Sequence, residues 1–557
     1  MPKVFFINEN KSISVEEGAT ILEAARLAGV RIESPCGAIG SCGKCGVRVS
    51  PPPRDKAACR YNHTLSRADQ KNGYVLACQY PAGGDIEVQV KDYAGENRGL
   101  RILTAGGNFI YEKQPFISKQ FRGGRTEILG GGKVLGTETG DTSAECYGLA
   151  VDIGTTTIVT ALVDLRTGRT LASESALNPQ AAYAQDVLGR IRFASSKEGG
   201  LKTLTRAFLD ALETMIASLT AAHGVKRDRI YEAVYSGNTA MLHLACGVDP
   251  VSLGQFPYTP KLFGGSHVSA EALGIAPFGL IWLPPIICAY VGADISSGIL
   301  ASGLAEKKGA VLFIDIGTNG EMVLARDGLL AAASTAAGPA FEGMNISCGM
   351  RASRGAIESF RVDRDGCFWE VIGAEDAASP AGICGSGLLD ITGELVRTGV
   401  IEKSGRFVPP EEGAYRKSLA ARMGRQDGKP AFFITPEVYL TQQDIRQIQL
   451  AKGAIRCGIQ MLLSRFGMKA GDVDSVEIAG GFGCRLREST LINIGLLPRG
   501  FAGKAVFVGN SSLTGGIAFL MNAGFRPKMI ELVKRVDKVE LANDKNFEET
   551  FIKYLSF

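Results

Sequence analysis

Three cysteines, Cys36, Cys42 and Cys45, stand within ten residues, and a fourth, Cys78, follows the third after thirty-two intervening residues. The pattern C-x5-C-x2-C…x32…C is one residue longer in its first gap than the C-x4-C-x2-C of plant-type [2Fe–2S] centres. Two irons and two bridging sulfides need four thiolates, which one tight loop and one returning strand can supply. Gly37, Gly40 and Gly43 let the main chain wrap close to the sulfurs, and N–H groups aimed at them offset the cluster's charge. A zinc site usually shows two C-x2–4-C pairs, and Cys78 has no near cysteine neighbour. A disulfide framework suits a small secreted chain, which this is not. The spacing therefore predicts a [2Fe–2S] cluster.

A second set of residues could handle phosphate. An apolar run from Tyr147 ends in Asp152, turns at Gly154 and offers Thr155, Thr156 and Thr157. The device returns from Val311: Asp315, Gly317, Thr318, Asn319, then Glu321. A buried strand that delivers Asp and Gly to a hairpin presents N–H groups and hydroxyls to phosphate oxygens. The Asp can hold Mg²⁺ directly or through water. One copy is common in ordinary turns. Two copies predict an internal duplication, with two lobes facing each other across a cleft. Two further glycine patches, one at Gly338 and one at Gly480 and Gly481, add turns that can lie against a flat ring. Each patch alone reads as a plain strand-to-helix turn; together, in this order, they point to ATP.

These residues need elements to hold them. Residues 3–7 and 12–15 read as short strands around a turn, and 21–28 as a helix with Thr20 as N-cap and Gly29 as stop. After the cysteine loop, 47–49 and 86–90 read as strands. Strand, strand, helix, cluster loop, strand is the order of the ferredoxin β-grasp. Residues 98–133 are basic and glycine-rich and read as a linker with a solvated face; 125–129 and 133–137 suit a hairpin. Apolar residues at helical spacing predict helices over 204–221 and 444–463, the latter with Thr441 as N-cap and Asp444 completing a capping box. The segment from Asn178-Pro179-Gln180 to Ile191 is a candidate interaction or interlobe element, with a capped surface helix as the plainer reading. Gly385 and Gly387 either approach a ligand or pack a helix on a sheet. Cys348, Cys384 and the four histidines show no ligand spacing.

The expected organisation is a [2Fe–2S] ferredoxin-like domain over 1–94 and a linker with a short hairpin over 95–146. A two-lobed α/β ATPase-like domain fills 147–557, with lobes of about 147–305 and 306–525 and a C-terminal extension. A hydrophobic content of 45%, a charged content of 21% and a net charge of +4 over 557 residues describe a globular protein and argue against nucleic acid as partner. No apolar run of eighteen residues and no secretory leader are present, so a membrane partner is not expected and the cytoplasm is the expected compartment.

The whole order resembles the reductive activators of corrinoid proteins. It runs from the cysteine loop through the Asp152 turn, Asn178-Pro179-Gln180 and the Asp315 turn to Ile383-Cys384-Gly385-Ser386-Gly387. The resemblance implies an N-terminal [2Fe–2S] β-grasp joined to an ATPase of the actin/Hsp70/sugar-kinase (RNase H-like) type. It implies ATP-dependent transfer of one electron to a Co(II) corrinoid protein of a methyltransferase system, restoring Co(I). Cys36, Cys42, Cys45 and Cys78 would hold the cluster. Asp152, Gly154, Thr155 and Thr156 would form the first phosphate turn; Asp315, Gly317, Thr318 and Asn319 the second. Gly338, Gly480 and Gly481 would border the nucleotide, the last two as the adenosine turn. On this reading Asp152 positions Mg²⁺, and Asp315 or Glu321 orients the attacking water. An upstream low-potential electron donor follows, and a homodimer is the assembly the resemblance allows. The stretch between ferredoxin and ATPase is short for that family. Two other classes fit parts of the pattern: an ATP-dependent electron donor to a dehydratase-type metalloenzyme, and a non-hydrolysing ATP-binding redox sensor.

Overall fold

A computed structural model describes residues 1–30, 32, 34, 38, 40, 43, 45–51, 65, 69–70, 72–90, 111–373, 379–480, 486–541 and 544–557. The chain divides into two compact units, residues 1–100 with 179–204, and residues 101–178 with 205–557.

In the first unit five strands lie in the order Lys11–Ser14, Lys3–Phe6, Ile86–Val90, Gly46–Ser50, Tyr74–Leu76. Lys3–Phe6 runs parallel to Ile86–Val90, and the other neighbours are antiparallel. The period-two alternation buries Val4, Phe6, Val47, Val49, Val88 and Val90 in one core with Ile21, Leu22 and Ala25 of the helix Ile21–Leu27. That helix starts where expected: Thr20 Oγ1 accepts from Glu23 N, and Glu23 returns a carboxylate to Thr20 N. Tyr74–Leu76 was not expected; three residues are too few for an alternation to show. The later part of this unit holds the helix Val187–Ser196, N-capped by Asp186.

The second unit is built on two six-stranded sheets. One runs Thr170–Leu177, Thr157–Asp164, Tyr147–Ile153, Ile230–Gly237, Leu280–Leu283, Ser266–Ser269. The other runs Leu329–Thr335, Gly320–Arg326, Ala310–Ile316, Ser475–Ala479, Ala505–Gly509 and has Asp537–Lys538 beside Leu329–Thr335. Read in this order, the first five strands of each form an antiparallel meander of three followed by two added in parallel; the sixth is Ser266–Ser269, antiparallel, in one sheet and Asp537–Lys538, parallel to the first strand, in the other. This is the duplication that the two Asp-Gly turns predict. The central strand Ile230–Gly237 is buried along its whole length and accordingly lacks alternation.

A three-stranded sheet, Ile117–Arg122, Arg125–Gly130 and Lys133–Thr139, precedes the first lobe. Its last two strands are the expected hairpin. The first was hidden by its Lys, Gln and Arg content. The Lys119 ammonium is not on a solvated face: it is buried, and it donates to Glu138 Oε2 (2.9 Å), Glu145 O (2.9 Å) and Tyr231 Oη (2.8 Å). The long helix Gln442–Arg465 carries the expected capping box of Thr441 and Asp444. Among the described residues no helix is long and apolar enough to cross a membrane.

Candidate functional site

Cys45 ends the cysteine loop and leads into Gly46–Ser50; Cys78 follows Tyr74–Leu76. Those strands pair at Gly46 and Leu76, and Ala77 N donates to Cys45 O, so the ladder itself brings the two side chains together. Their buried sulfurs lie 3.2 Å apart. A disulfide would need about 2.05 Å, so these are two converging thiols. Gln79 Nε2 donates to Cys78 Sγ (3.8 Å) and to Ala38 O (2.7 Å), tying loop to strand. Gly40 and Gly43 take φ of +83° and +71°, which lets the loop curl. Soft sulfur donors paired in an apolar core fit an iron–sulfur cluster. Cys36 and Cys42 lie outside the described residues.

The candidate cleft is built from two hairpins. In the first, Gly154 N donates to Thr157 O, and a Cβ on Gly154 would stand 2.7 Å from that oxygen. Asn178, buried, pins the turn: its Nδ2 donates to Gly154 O and its N to Thr156 O, both at 2.8 Å. In the second, Gly317 N donates to Asn319 O. Gly480 (φ +106°) lies on this second turn, where a Cβ would meet Ile316 O at 2.5 Å and Asp315 Oδ1 at 2.9 Å. Gly481 lies outside the described residues. Gly338 opens the turn Pro339–Glu342, whose Glu342 accepts from Thr156 Oγ1 and from Thr318 Oγ1, the latter at 2.5 Å.

Two asparagines do double duty. Asn238 and Asn510 both follow an apolar strand and a glycine, and both N-cap a helix. Each uses Oδ1 for its cap, accepting from Met241 N and Leu513 N. Each has Nδ2 left for the site: Asn238 donates to Thr155 Oγ1 (3.1 Å), Asn510 to Asp152 Oδ2 (2.8 Å). Ser512 donates to Asp152 Oδ1 at 2.7 Å, so both carboxylate oxygens of Asp152 are held.

Asp152 does not stand alone. Asp315 and Glu321 are cross-strand partners in one ladder, and Asp294 is the second residue of the helix Ala293–Ser302. Protein packs closely round all four carboxyls, although Asp152, Asp294 and Asp315 keep part of their surface open to the cleft. Burial, then the Asp152 charge, pushes Asp315 up to about 7. Burial and the neighbouring carboxylates push Asp294 and Glu321 up as well. Asp152 is also raised by burial, against the pull of Ser512 and Asn510. Among the described residues no three His, Cys, Asp or Glu side chains converge tightly enough to hold a metal by themselves. Mg²⁺ does not require that; it takes one or two carboxylates and completes its shell with phosphate and water.

Comparison with known proteins covers most of the chain. A 2Fe-2S iron-sulfur cluster binding domain matches residues 5–83, the RACo middle region matches 147–307, and the C-terminal domain of RACo, the ASKHA domain, matches 309–557. The solved structure of a reductive activator for corrinoid, iron-sulfur protein superposes with a TM-score of 0.72 at 31% identity, covering 100% of this chain and 98% of that one. The chain belongs to the reductive activators of corrinoid proteins. A corrinoid activation enzyme RamQ of Eubacterium limosum is 29% identical along the whole chain and 99% of its own length. A [Co(II) methylated amine-specific corrinoid protein] reductase of Methanosarcina barkeri is 25% identical over 74% of this chain and 77% of its own.

The middle region of these activators falls on the lobe that carries the Asp152 turn. The short stretch ahead of residue 147 therefore does not mean that a middle part is missing. The structure brings Asp152, Thr155, Thr156, Gly317, Thr318, Asp315 and Glu321 into one cleft. Sequence reasoning missed Asp294, Glu342, Asn510 and Ser512, read residues 236–241 only as a strand-to-helix turn, which they are, and took Asn178 for part of a surface helix. One signal was legible: Gly237-Asn238-Thr239 and Gly509-Asn510-Ser511 repeat the same triplet type after apolar runs. Gly387 is a packing glycine: a Cβ there would meet Ile357 O at 2.2 Å.

Proposed function

We propose that this protein is an ATP-dependent reductive activator. It passes one electron, by way of a [2Fe–2S] cluster on Cys36, Cys42, Cys45 and Cys78, to the Co(II) corrinoid of a methyltransferase partner, restoring Co(I). The observation that carries the reading is the joining in one chain of converging buried thiols and an Asp152 gripped by Asn510 and Ser512 beside two phosphate hairpins. When bound, a plant-type cluster supplies single electrons at about −400 mV. The Gly154 and Gly317 turns offer N–H groups to phosphate oxygens, and Thr156 and Thr318 offer hydroxyls. Asn510 and Ser512 keep Asp152 aimed for Mg²⁺. Asp315, raised toward neutrality, is suited to take a proton from the attacking water, with Glu321 beside it. ATP can tip an uphill electron transfer only by favouring one of two states. Each Co(II) reduced draws one electron, so an upstream low-potential donor must replace it. Reduced thiols fit a cytoplasmic setting.

The test follows the partner's cobalt spectrum anaerobically after mixing reduced activator with a Co(II) corrinoid protein, with and without MgATP. Co(I) should form with ATP and lag without it. Asp152→Ala should keep the visible cluster spectrum and lose about 10²-fold in ATP-stimulated rate. A wild-type rate indifferent to ATP would sink the proposal.

A further inference from the structure

Glu342 occupies a place an anion is meant to fill. It ends the one-turn helix Pro339–Glu342, which is bracketed by Gly338 at φ +78° and Gly343 at φ +76°. Gly343 is pressed on Met350, where a Cβ would come within 2.4 Å of the carbonyl oxygen, so the turn and the direction of Glu342 are fixed by the backbone. One carboxylate oxygen accepts from the hydroxyl of Thr156 in the first lobe, the other from that of Thr318 in the second. The two hydroxyls of the duplicated turns thus converge on a single pair of negative oxygens.

A phosphoryl group presents the same pair. A terminal phosphate has three unbridged oxygens, enough for both hydroxyls with one left for a metal, and in a triphosphate that group lies one phosphate further along than the end of a diphosphate. Carboxylate and phosphate cannot share the spot. The cleft already gathers Asp152, Asp294, Asp315 and Glu321, and a further pair of close like charges in so enclosed a place repels strongly.

We propose that Glu342 is an internal stand-in for the γ-phosphate, bridging the two lobes through Thr156 and Thr318 until a triphosphate displaces it. A diphosphate leaves the bridge in place; a triphosphate takes over both hydroxyls. Glu342 is then the residue that separates the two nucleotides, and the lobes have two distinct ways of being joined. The inference rests on the ATP reading above and adds to it how the terminal phosphate is sensed.

Calorimetry on the full chain with Mg²⁺ and either ADP or a non-hydrolysable ATP analogue tests it. Glu342→Gln keeps the shape and removes the charge. It should bind the triphosphate about tenfold more tightly and shift ADP by less than about twofold. Thr318→Val, which removes one donor and keeps the turn, should weaken the triphosphate about tenfold relative to ADP; equal losses for the two nucleotides would count against the assignment. Glu342→Gln binding the triphosphate no better than wild type, or tightening both nucleotides equally, overturns the Glu342 assignment alone. Wild-type protein that binds neither nucleotide overturns the ATP reading and this inference with it.

Discussion

An asparagine at a helix N-cap has two working ends, and this cleft uses both. Asn238 and Asn510 satisfy the helix with an oxygen and the site with a nitrogen, so each local cap also fixes a long-range contact. Asp315 shows the electrostatic side of the same crowding. Its carboxyl is lifted from 3.8 to about 7 by burial and then by Asp152. The folded protein therefore holds that proton more tightly than the unfolded chain. The stability it contributes is whole below about pH 4 and drains away as pH rises through about 7. We expect the nucleotide-free melting temperature to fall more between about pH 5 and about pH 8 in wild type than in Asp315→Asn. Parallel melting profiles would contradict the raised value. At this scale the sequence displayed Asp152, Thr156 and Thr318 because strand, turn and hydroxyl are neighbours in the chain. Asp294 reaches the cleft only through tertiary packing, and nothing beside it in the sequence advertises it; the Gly338 patch marked the turn that carries Glu342 but not the use of its carboxylate.

Between residues and molecule stand the helices that hold the site. Ala293–Ser302 and Ser511–Met521 approach so closely that a Cβ on Gly515 would lie 2.0 Å from Ser297 O. The next residue, Gly516, has room: a Cβ there would meet Ser236 Oγ at 3.4 Å and Ala150 Cβ at 3.5 Å. Gly515→Ala should pry the helices apart at a cost of about 1–3 kcal/mol. It should also weaken Mg-nucleotide binding, because Asn510 and Ser512 move with their helix. Gly516→Ala should stay within about 0.5 kcal/mol of wild type. Urea midpoints and nucleotide titrations of the pair check this; equal behaviour of the two would refute it. Long helices and buried strands were readable from periodicity, as 444–463 was. Ile117–Arg122 and Tyr74–Leu76 were not. The charges of one find partners only in the fold, and the other is three residues long.

Across the whole chain, each of the two units carries its own short motif, and the proposed function gives each its own task. Cys42→Ala should abolish the cluster's visible absorption and electron transfer while nucleotide affinity stays within about twofold of wild type. Retained absorption would reject the ligand assignment, and lost nucleotide binding would reject the separation of labour. The fold class was legible because the cysteine spacing and the repeated Asp-Gly turn are local signatures of distant architecture. What local signatures could not convey is how far the chain travels to finish what it begins. Asp152 receives its two clamps from residues 358 and 360 positions downstream. At about 5–20 residues per second a ribosome needs about 20–70 s to cover that gap. For that interval the first lobe emerges with its acidic centre ungripped. A product cut short before residue 510 would contain both threonine turns and still lack the means to lock Asp152.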